Sequence, residues 1–250
     1  MAKTALVTGG AKRIGAAITR DLAAHGFNVA FQYTNSEDQA HDLAIELGQY
    51  GNKIIQLEAD LLEPQSAKEL FANATAAIGP IDLLVNNASI FEPDEADKFN
   101  EALWEQHFAI HLKTPTILSS QLVQQGDLES GLIVNIIDQR VLRPNPNFFS
   151  YTLSKSALWN ATQTMAQAFA PNIRVNAIGP GPTLANERQA QEDFQKQIDG
   201  LILKRGPQLD EFGKTIRYLY ETPSITGQMI ALDGGQHLAW ETPDIVGINE

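Results

Sequence analysis

The sequence predicts one doubly wound α/β domain: a parallel sheet with helices packed on both faces. Three observations carry this. Short β-branched runs alternate with longer segments of helical periodicity along nearly the whole chain of 250 residues, the pattern of repeated strand–helix–strand units. A glycine-rich turn joins the first strand to the first helix. No linker, low-complexity tract or internal repeat interrupts the alternation, so residues 1–250 read as a single domain.

Residues 4–8 (Thr-Ala-Leu-Val-Thr) read as a buried strand, and residues 13–25 as a helix with Ile14, Ile18 and Leu22 four apart. A second strand spans 28–33. Ser36, followed by the acids Glu37 and Asp38, reads as the N-cap of a helix running to about Gly48. Strands at 53–57 and 81–85 flank a helix at 64–77. A long helical stretch covers 100–125, a strand 132–137, a helix 149–170 and a strand 173–178. The last strand, 228–232, is ended by Gly234-Gly235. Residues 179–208, rich in Pro, Gly, Gln and Asn, leave this rhythm. A substrate lid is the functional reading of that stretch and a solvated helical hairpin the plain structural one. A tail, 240–250, extends past the last strand; it either packs across a subunit boundary or is partly disordered.

Composition excludes several classes. A formal net charge of −12 opposes nucleic acid and anionic membranes, and the basic pairs Lys12-Arg13 and Lys204-Arg205 do not form a stripe. No run approaches the length of a membrane span. The N-terminal apolar stretch is too short for a secretory leader. With no cysteine there is no disulfide, thiolate metal site or Cys nucleophile. A cytoplasmic protein that binds no metal is the expectation.

The turn from Thr8 to Gly15 carries the first chemistry. Glycine lets the backbone bend sharply toward a ligand, and the following helix N-terminus favours a pyrophosphate. Strand, turn, helix and second strand in this order make the domain Rossmann-type and point to a dinucleotide. Lys12 and Arg13 place two cations there on an acidic protein. An NAD site usually has an acid at the end of the second strand for the ribose 2′-hydroxyl. Here that strand ends Gln32-Tyr33-Thr34-Asn35-Ser36 and the first acid is Glu37. Arg13, Asn35 and Ser36 could hold a 2′-phosphate, so NADP(H) is the expected cofactor.

The second motif is Tyr151-x-x-x-Lys155 at the start of a predicted helix. A spacing of four puts both side chains on one helical face. A free phenol, with a pKa near 10, exchanges protons poorly at neutral pH; a neighbouring ammonium lowers that pKa. Asp138, at the end of the 132–137 strand, lies where ligands bind at the carboxyl edge of such sheets.

Together, the 8–15 turn, Asn86-Asn87-Ala88-Ser89, Tyr151/Lys155, Arg174-Val175-Asn176 with Gly179-Pro180-Gly181, and Leu232-Asp233-Gly234-Gly235 resemble the short-chain dehydrogenase/reductase family over nearly the whole chain. Arg13 stands where most members have a third glycine, Asp138 where most have Ser, and Ser89 where most have Gly. These departures are similar to pteridine reductases and the bacterial dihydromonapterin/dihydrofolate reductases. A further departure puts His111 in place of the family's usual Asn.

The resemblance implies that NADP(H) meets Gly9, Lys12, Arg13, Ile14, Asn35, Ser36, Asp60, Leu61, Asn87, Ala88, Ser89, Tyr151, Lys155, Pro180 and Gly181. It implies a pterin held by Arg13, Ser89, Phe91, Asp138 and Tyr151, with Phe91 stacked on the ring opposite the nicotinamide. Tyr151, Lys155 and Asp138 would be catalytic. The expected activity is reduction of a dihydropterin or dihydrofolate to the tetrahydro form, in a homotetramer. A ketone reductase with the same cofactor and a non-catalytic dinucleotide sensor are the alternatives.

Overall fold

The computed structural model describes residues 3–126, 128–185, 188–242 and 244–247. Seven parallel strands, β1 (Lys3–Val7), β2 (Phe27–Tyr33), β3 (Ile54–Glu58), β4 (Leu83–Asn86), β5 (Gly131–Ile136), β6 (Ile173–Pro180) and β7 (Met229–Leu232), form one sheet. Their order is β3-β2-β1-β4-β5-β6-β7. The chain winds outward from β1 to one edge, then returns to β4 and winds to the other. The reversal falls between β1 and β4, where such sheets open a crevice at the strands' carboxyl ends.

Alternation along the strands divides the core. Ala5 and Val7 face a cluster containing Ile18 and Leu22 of helix α1 (Arg13–Ala24), Leu43 and Leu47 of α2 (Glu37–Leu47), and Phe212, Ile216 and Leu219 of α8 (Leu209–Glu221). Leu6 faces the opposite cluster, with Leu70 and Phe71 of α3 (Pro64–Ile78) and Leu118 and Leu122 of α5 (Thr114–Gln124). Met165, from α6 (Phe149–Ala168), joins that second cluster. A strand buried on both faces reads as a continuous apolar run, which is why residues 4–8 were legible.

Three features differ from the sequence expectation. α8 has no counterpart among the elements the sequence predicts, although Gln208 and Glu211 form a capping box before its apolar stripe. It lies close to α1: a Cβ on Gly213 would come within 2.3 Å of the Asp21 side chain, and Arg217 Nε donates to Asp21 Oδ1 at 2.6 Å. The 100–125 stretch is helical but not uniform. α4 (Glu101–Phe108) passes through a π turn (Ala109–Lys113) into α5. Ser36 precedes α2 as expected, yet its side chain makes no capping bond. Segment 179–208 leaves the sheet after β6 and contains α7 (Gln191–Asp199); Asn186 and Glu187 lie outside the described residues, as do Pro243 and 248–250 of the tail.

Candidate active site

The carboxyl ends of β1, β4, β5 and β6 open into a cavity of about 870 Å³. Among the sequence candidates, Gly9, Lys12, Arg13, Ile14, Asn87, Ala88, Ser89, Phe91, Asp138, Tyr151, Lys155, Pro180 and Gly181 line it.

The turn at one end is tightly built. Gly9 has φ +60°, in the left-handed region that glycine tolerates. A Cβ on Gly15 would fall 1.9 Å from Gly9 O and 2.6 Å from Asn87 Nδ2. Asn87 braces the turn, donating from Nδ2 to Thr8 O at 2.9 Å and Gly9 O at 3.0 Å. The Thr8 hydroxyl oxygen accepts from the Asn87 and Ala88 amides at 2.9 and 3.0 Å. α1 then starts with no side-chain cap on Lys12 and no acid in its first turn. Its free N–H groups, with Lys12 beside them, fit a pyrophosphate.

Arg13 lines the cavity beside this turn. Its backbone has φ +52°, so it adopts the conformation of the glycine it replaces, at a cost of about 1–2 kcal/mol. Its guanidinium donates to Leu184 O at 3.1 Å and Ala185 O at 3.0 Å. It thereby ties the turn to the 179–208 segment. Gly181 packs against the glycine motif that follows β7: a Cβ there would lie 2.6 Å from Asp233 Cα. Arg174, in the neighbouring motif, is structural, giving its guanidinium to carbonyls at the end of α8, including Leu219 O at 2.7 Å.

Asn35 lines a separate recess of about 390 Å³ with Lys12, Thr34, Glu37, Asp38, Gln39 and Glu58. The acids missing from the end of β2 are brought to the recess from α2 and β3. α2 begins directly after the turn, and parallel pairing sets Glu58 beside Tyr33, so three acids reach the recess. Ser36 is not among its lining residues, and Asp60 and Leu61 line neither cavity. Asp60 instead accepts from the Leu62 amide at 3.0 Å. Leu61 is buried in the core.

The reacting end is assembled by β5, α4, the π turn and α6. Tyr151 and Lys155 lie one helical turn apart and are 5 % and 2 % exposed. Tyr151 Oη donates to Asp138 Oδ2 at 2.9 Å. Asp138 Oδ1 accepts the Arg140 amide at 2.8 Å, which fixes the carboxylate plane. Lys155 Nζ donates to Ile136 O at 2.9 Å and sits 5.7 Å from the Tyr151 ring centre.

Burial, with the Asp138 charge next, holds the Tyr151 phenol well above its ordinary value. Burial lowers the Lys155 ammonium to about 8, against the pull of Asp138. Burial likewise raises the Asp138 carboxyl above its ordinary range.

Phe91 is not a bare platform. It stacks on Phe148 with ring centres 4.4 Å apart and planes 5° from parallel, and meets Tyr151 edge-on at 4.8 Å. The Arg140 guanidinium lies 4.9 Å from the Phe91 ring centre and 4.5 Å from that of Phe148. Sequence reasoning missed Arg140 and Phe148. The signals were their positions two residues after Asp138 and three before Tyr151. It also missed Arg188, which donates to Glu92 and to Phe91 O.

His111, in the π turn, is 1 % exposed. Its Nε2 lies 2.8 Å from Ser89 Oγ and its Nδ1 2.8 Å from Ser154 Oγ. Among the described residues no group of three His, Asp or Glu could hold a metal ion, and no helix is long and apolar enough to cross a membrane.

Known proteins resemble this chain to different degrees. The FolM alternative dihydrofolate reductase 1 of Brucella suis, crystallised with NADP, is 57 % identical with a TM-score of 0.94, covering 97 % of this chain and 98 % of that one. The Brucella canis counterpart, also with NADP, is 55 % identical with a TM-score of 0.92 over 97 % of each chain. The 3-oxoacyl-[acyl-carrier-protein] reductase FabG of Staphylococcus epidermidis is 29 % identical over 247 residues, 95 % of this chain and all of that one. The 2-dehydro-3-deoxy-D-gluconate 5-dehydrogenase of Bacillus subtilis is 33 % identical over 249 residues, covering 93 % of this chain and 94 % of that one. Residues 3–196 match the short chain dehydrogenase family; with the glycine turn, the Tyr151/Lys155 pair and the strand order all in place, the chain belongs to that family.

Proposed function

We propose that the protein uses NADPH to reduce a pterin-type substrate, taking a dihydropterin or dihydrofolate to its tetrahydro form. The observation that carries this reading is the Tyr151–Asp138 bond. Carbonyl reducers of this family usually place a Ser hydroxyl at position 138, a donor that polarises the carbonyl oxygen. A carboxylate there is an acceptor, suited to a flat heterocycle that presents N–H groups. The Brucella FolM reductases, whose likeness extends over almost the whole chain, support it.

NADPH bound across the cavity supplies the hydride. Gly9, Lys12, Ile14 and the α1 N-terminus would hold its pyrophosphate, and Lys12 with Asn35 its 2′-phosphate. Lys155, anchored by one hydrogen to Ile136 O, keeps two further donors for the ribose hydroxyls. Reducing a C=N bond requires a proton at nitrogen. Tyr151 holds that proton at Oη, and its raised pKa keeps the phenol protonated at neutral pH. In this structure that proton lies in the bond to Asp138 Oδ2, so its delivery requires the hydroxyl to turn from Asp138 to the substrate nitrogen. Phe91, backed by Phe148, provides the apolar wall for the ring. Segment 179–208, tied down through Arg13, serves as a lid that keeps water from the reacting atoms.

A ketone substrate is the second reading, favoured by relatives such as the Staphylococcus FabG reductase. NADPH oxidation by purified protein with 7,8-dihydropterin, dihydrofolate and a β-ketoester decides between them. Turnover of the ketone alone rules out the pterin reading. The protein assembles as a homotetramer in this proposal, which light scattering after size exclusion checks.

A further inference from the structure

Ser89 faces the cavity; its hydroxyl lies 3.4 Å from Ile90 O and within reach of the Tyr151 oxygen, but the imidazole nitrogen behind it is the strongest of these acceptors. His111 Nε2 is 2.8 Å from Ser89 Oγ and also receives the Ile90 amide at 3.3 Å. A backbone N–H can only donate, so Nε2 is the bare, accepting nitrogen. The proton of the neutral ring is then on Nδ1, which donates to Ser154 Oγ at 2.8 Å. Ser154 is free to accept because its own hydroxyl donates to Tyr151 O at 2.7 Å. Both sides of the imidazole therefore specify one tautomer. The groups facing it agree: Lys155 and His107 disfavour a second proton, and burial holds the imidazole well below its ordinary pKa. The π turn carries His111 at this position, between Ser89 and α6.

We propose that His111 is a positioning residue that draws the Ser89 hydroxyl proton away from the cavity, leaving Ser89 an acceptor-only group. With Asp138 it forms a wall of acceptors that selects substrates presenting N–H donors. This rests on the pterin reading above. It goes further in assigning the selection to a residue that touches neither substrate nor cofactor. A ketone or its developing oxyanion finds no hydroxyl donor at Ser89, whereas the aminopyrimidinone edge of a dihydropterin offers ring and amino N–H groups to it.

A double-mutant cycle on the full-length enzyme with NADPH and 7,8-dihydropterin tests this. Ser89→Ala and His111→Asn are each expected to raise KM for the pterin about tenfold, the scale of one good hydrogen bond. The double variant is expected to be no worse than either single one, because His111 acts through Ser89. His111→Gln, whose amide oxygen can reach toward Ser89, is expected to recover part of the loss. Independent, multiplying effects overturn the proposal. Nitrogen-15 spectra of wild-type His111 supply a readout apart from turnover. A neutral ring protonated at Nδ1 at neutral pH is expected, and an Nε2–H tautomer or an imidazolium there overturns the proposal. If wild type turns over no pterin, the functional reading fails and its substrate selection falls with it. Additive effects in an active wild type defeat this inference alone.

Discussion

Tyr151 and Asp138 share one hydrogen bond at 2.9 Å, joining the first turn of α6 to the end of β5. That bond places a carboxylate against the proton donor, so the two residues act as one unit. Tyr151→Phe removes the proton and leaves the ring. Turnover is expected to fall by about a hundred- to ten-thousand-fold, the usual contribution of general acid catalysis. NADPH binding, measured by fluorescence titration, is expected to change far less than turnover.

Asp138→Ser converts an acceptor into a donor at the same place. Pterin kcat/KM is expected to fall at least about tenfold, or ~1.4 kcal/mol of transition-state stabilisation. Reduction of a simple β-ketoester is expected to rise from its baseline. Parallel assays of the two substrates measure the exchange. Unchanged preference means that position 138 does not set the substrate class.

The pH dependence follows from Lys155. Its folded ammonium titrates at about 8, against about 10.4 in an unfolded chain. Between those values the unfolded state binds more protons, so stability rises with pH through that window. The opposite trend is expected for activity. kcat/KM declines as pH climbs past about 8, because the neutral amine is a poorer ligand for ribose hydroxyls. Thermal denaturation of wild type and Lys155→Met from about pH 8 to about pH 10 checks the first point. Only wild type carries the extra rise.

Gly15→Ala tests the phosphate turn. The new methyl would meet Gly9 O at 1.9 Å, so backbone must move. Loss of NADPH affinity is expected, together with about 1–3 kcal/mol of destabilisation from the overpacking. Calorimetric titration and chemical denaturation read the two effects separately.

Much of the fold and part of the site were readable because their signals are local. Buried parallel strands are uninterrupted apolar runs, and Tyr151 and Lys155 are one helical turn apart. What stayed hidden depends on distant pairing or on geometry without a sequence period. Glu58 reaches the Asn35 recess through its register with Tyr33, which no window of β2 contains. The π turn at 109–113 adds a residue to one coil of a helix, leaving the apolar pattern nearly intact while turning His111 toward Ser89. Arg140 joins the aromatic stack through a short 3-10 turn (Gln139–Val141). Arg13 reaches Leu184 O and Ala185 O across a separation of more than 170 residues, a pairing that no local pattern around the glycine turn encodes.

That same Arg13 stitches together two ends of the sequence. One guanidinium holds the loop after β1 to carbonyls more than 170 residues further along the chain. Arg188 adds a second stitch, from the same far segment to Glu92 and Phe91 O after β4. The cleft's rim is thus fastened by side chains of one segment to two loops of the other half of the sheet.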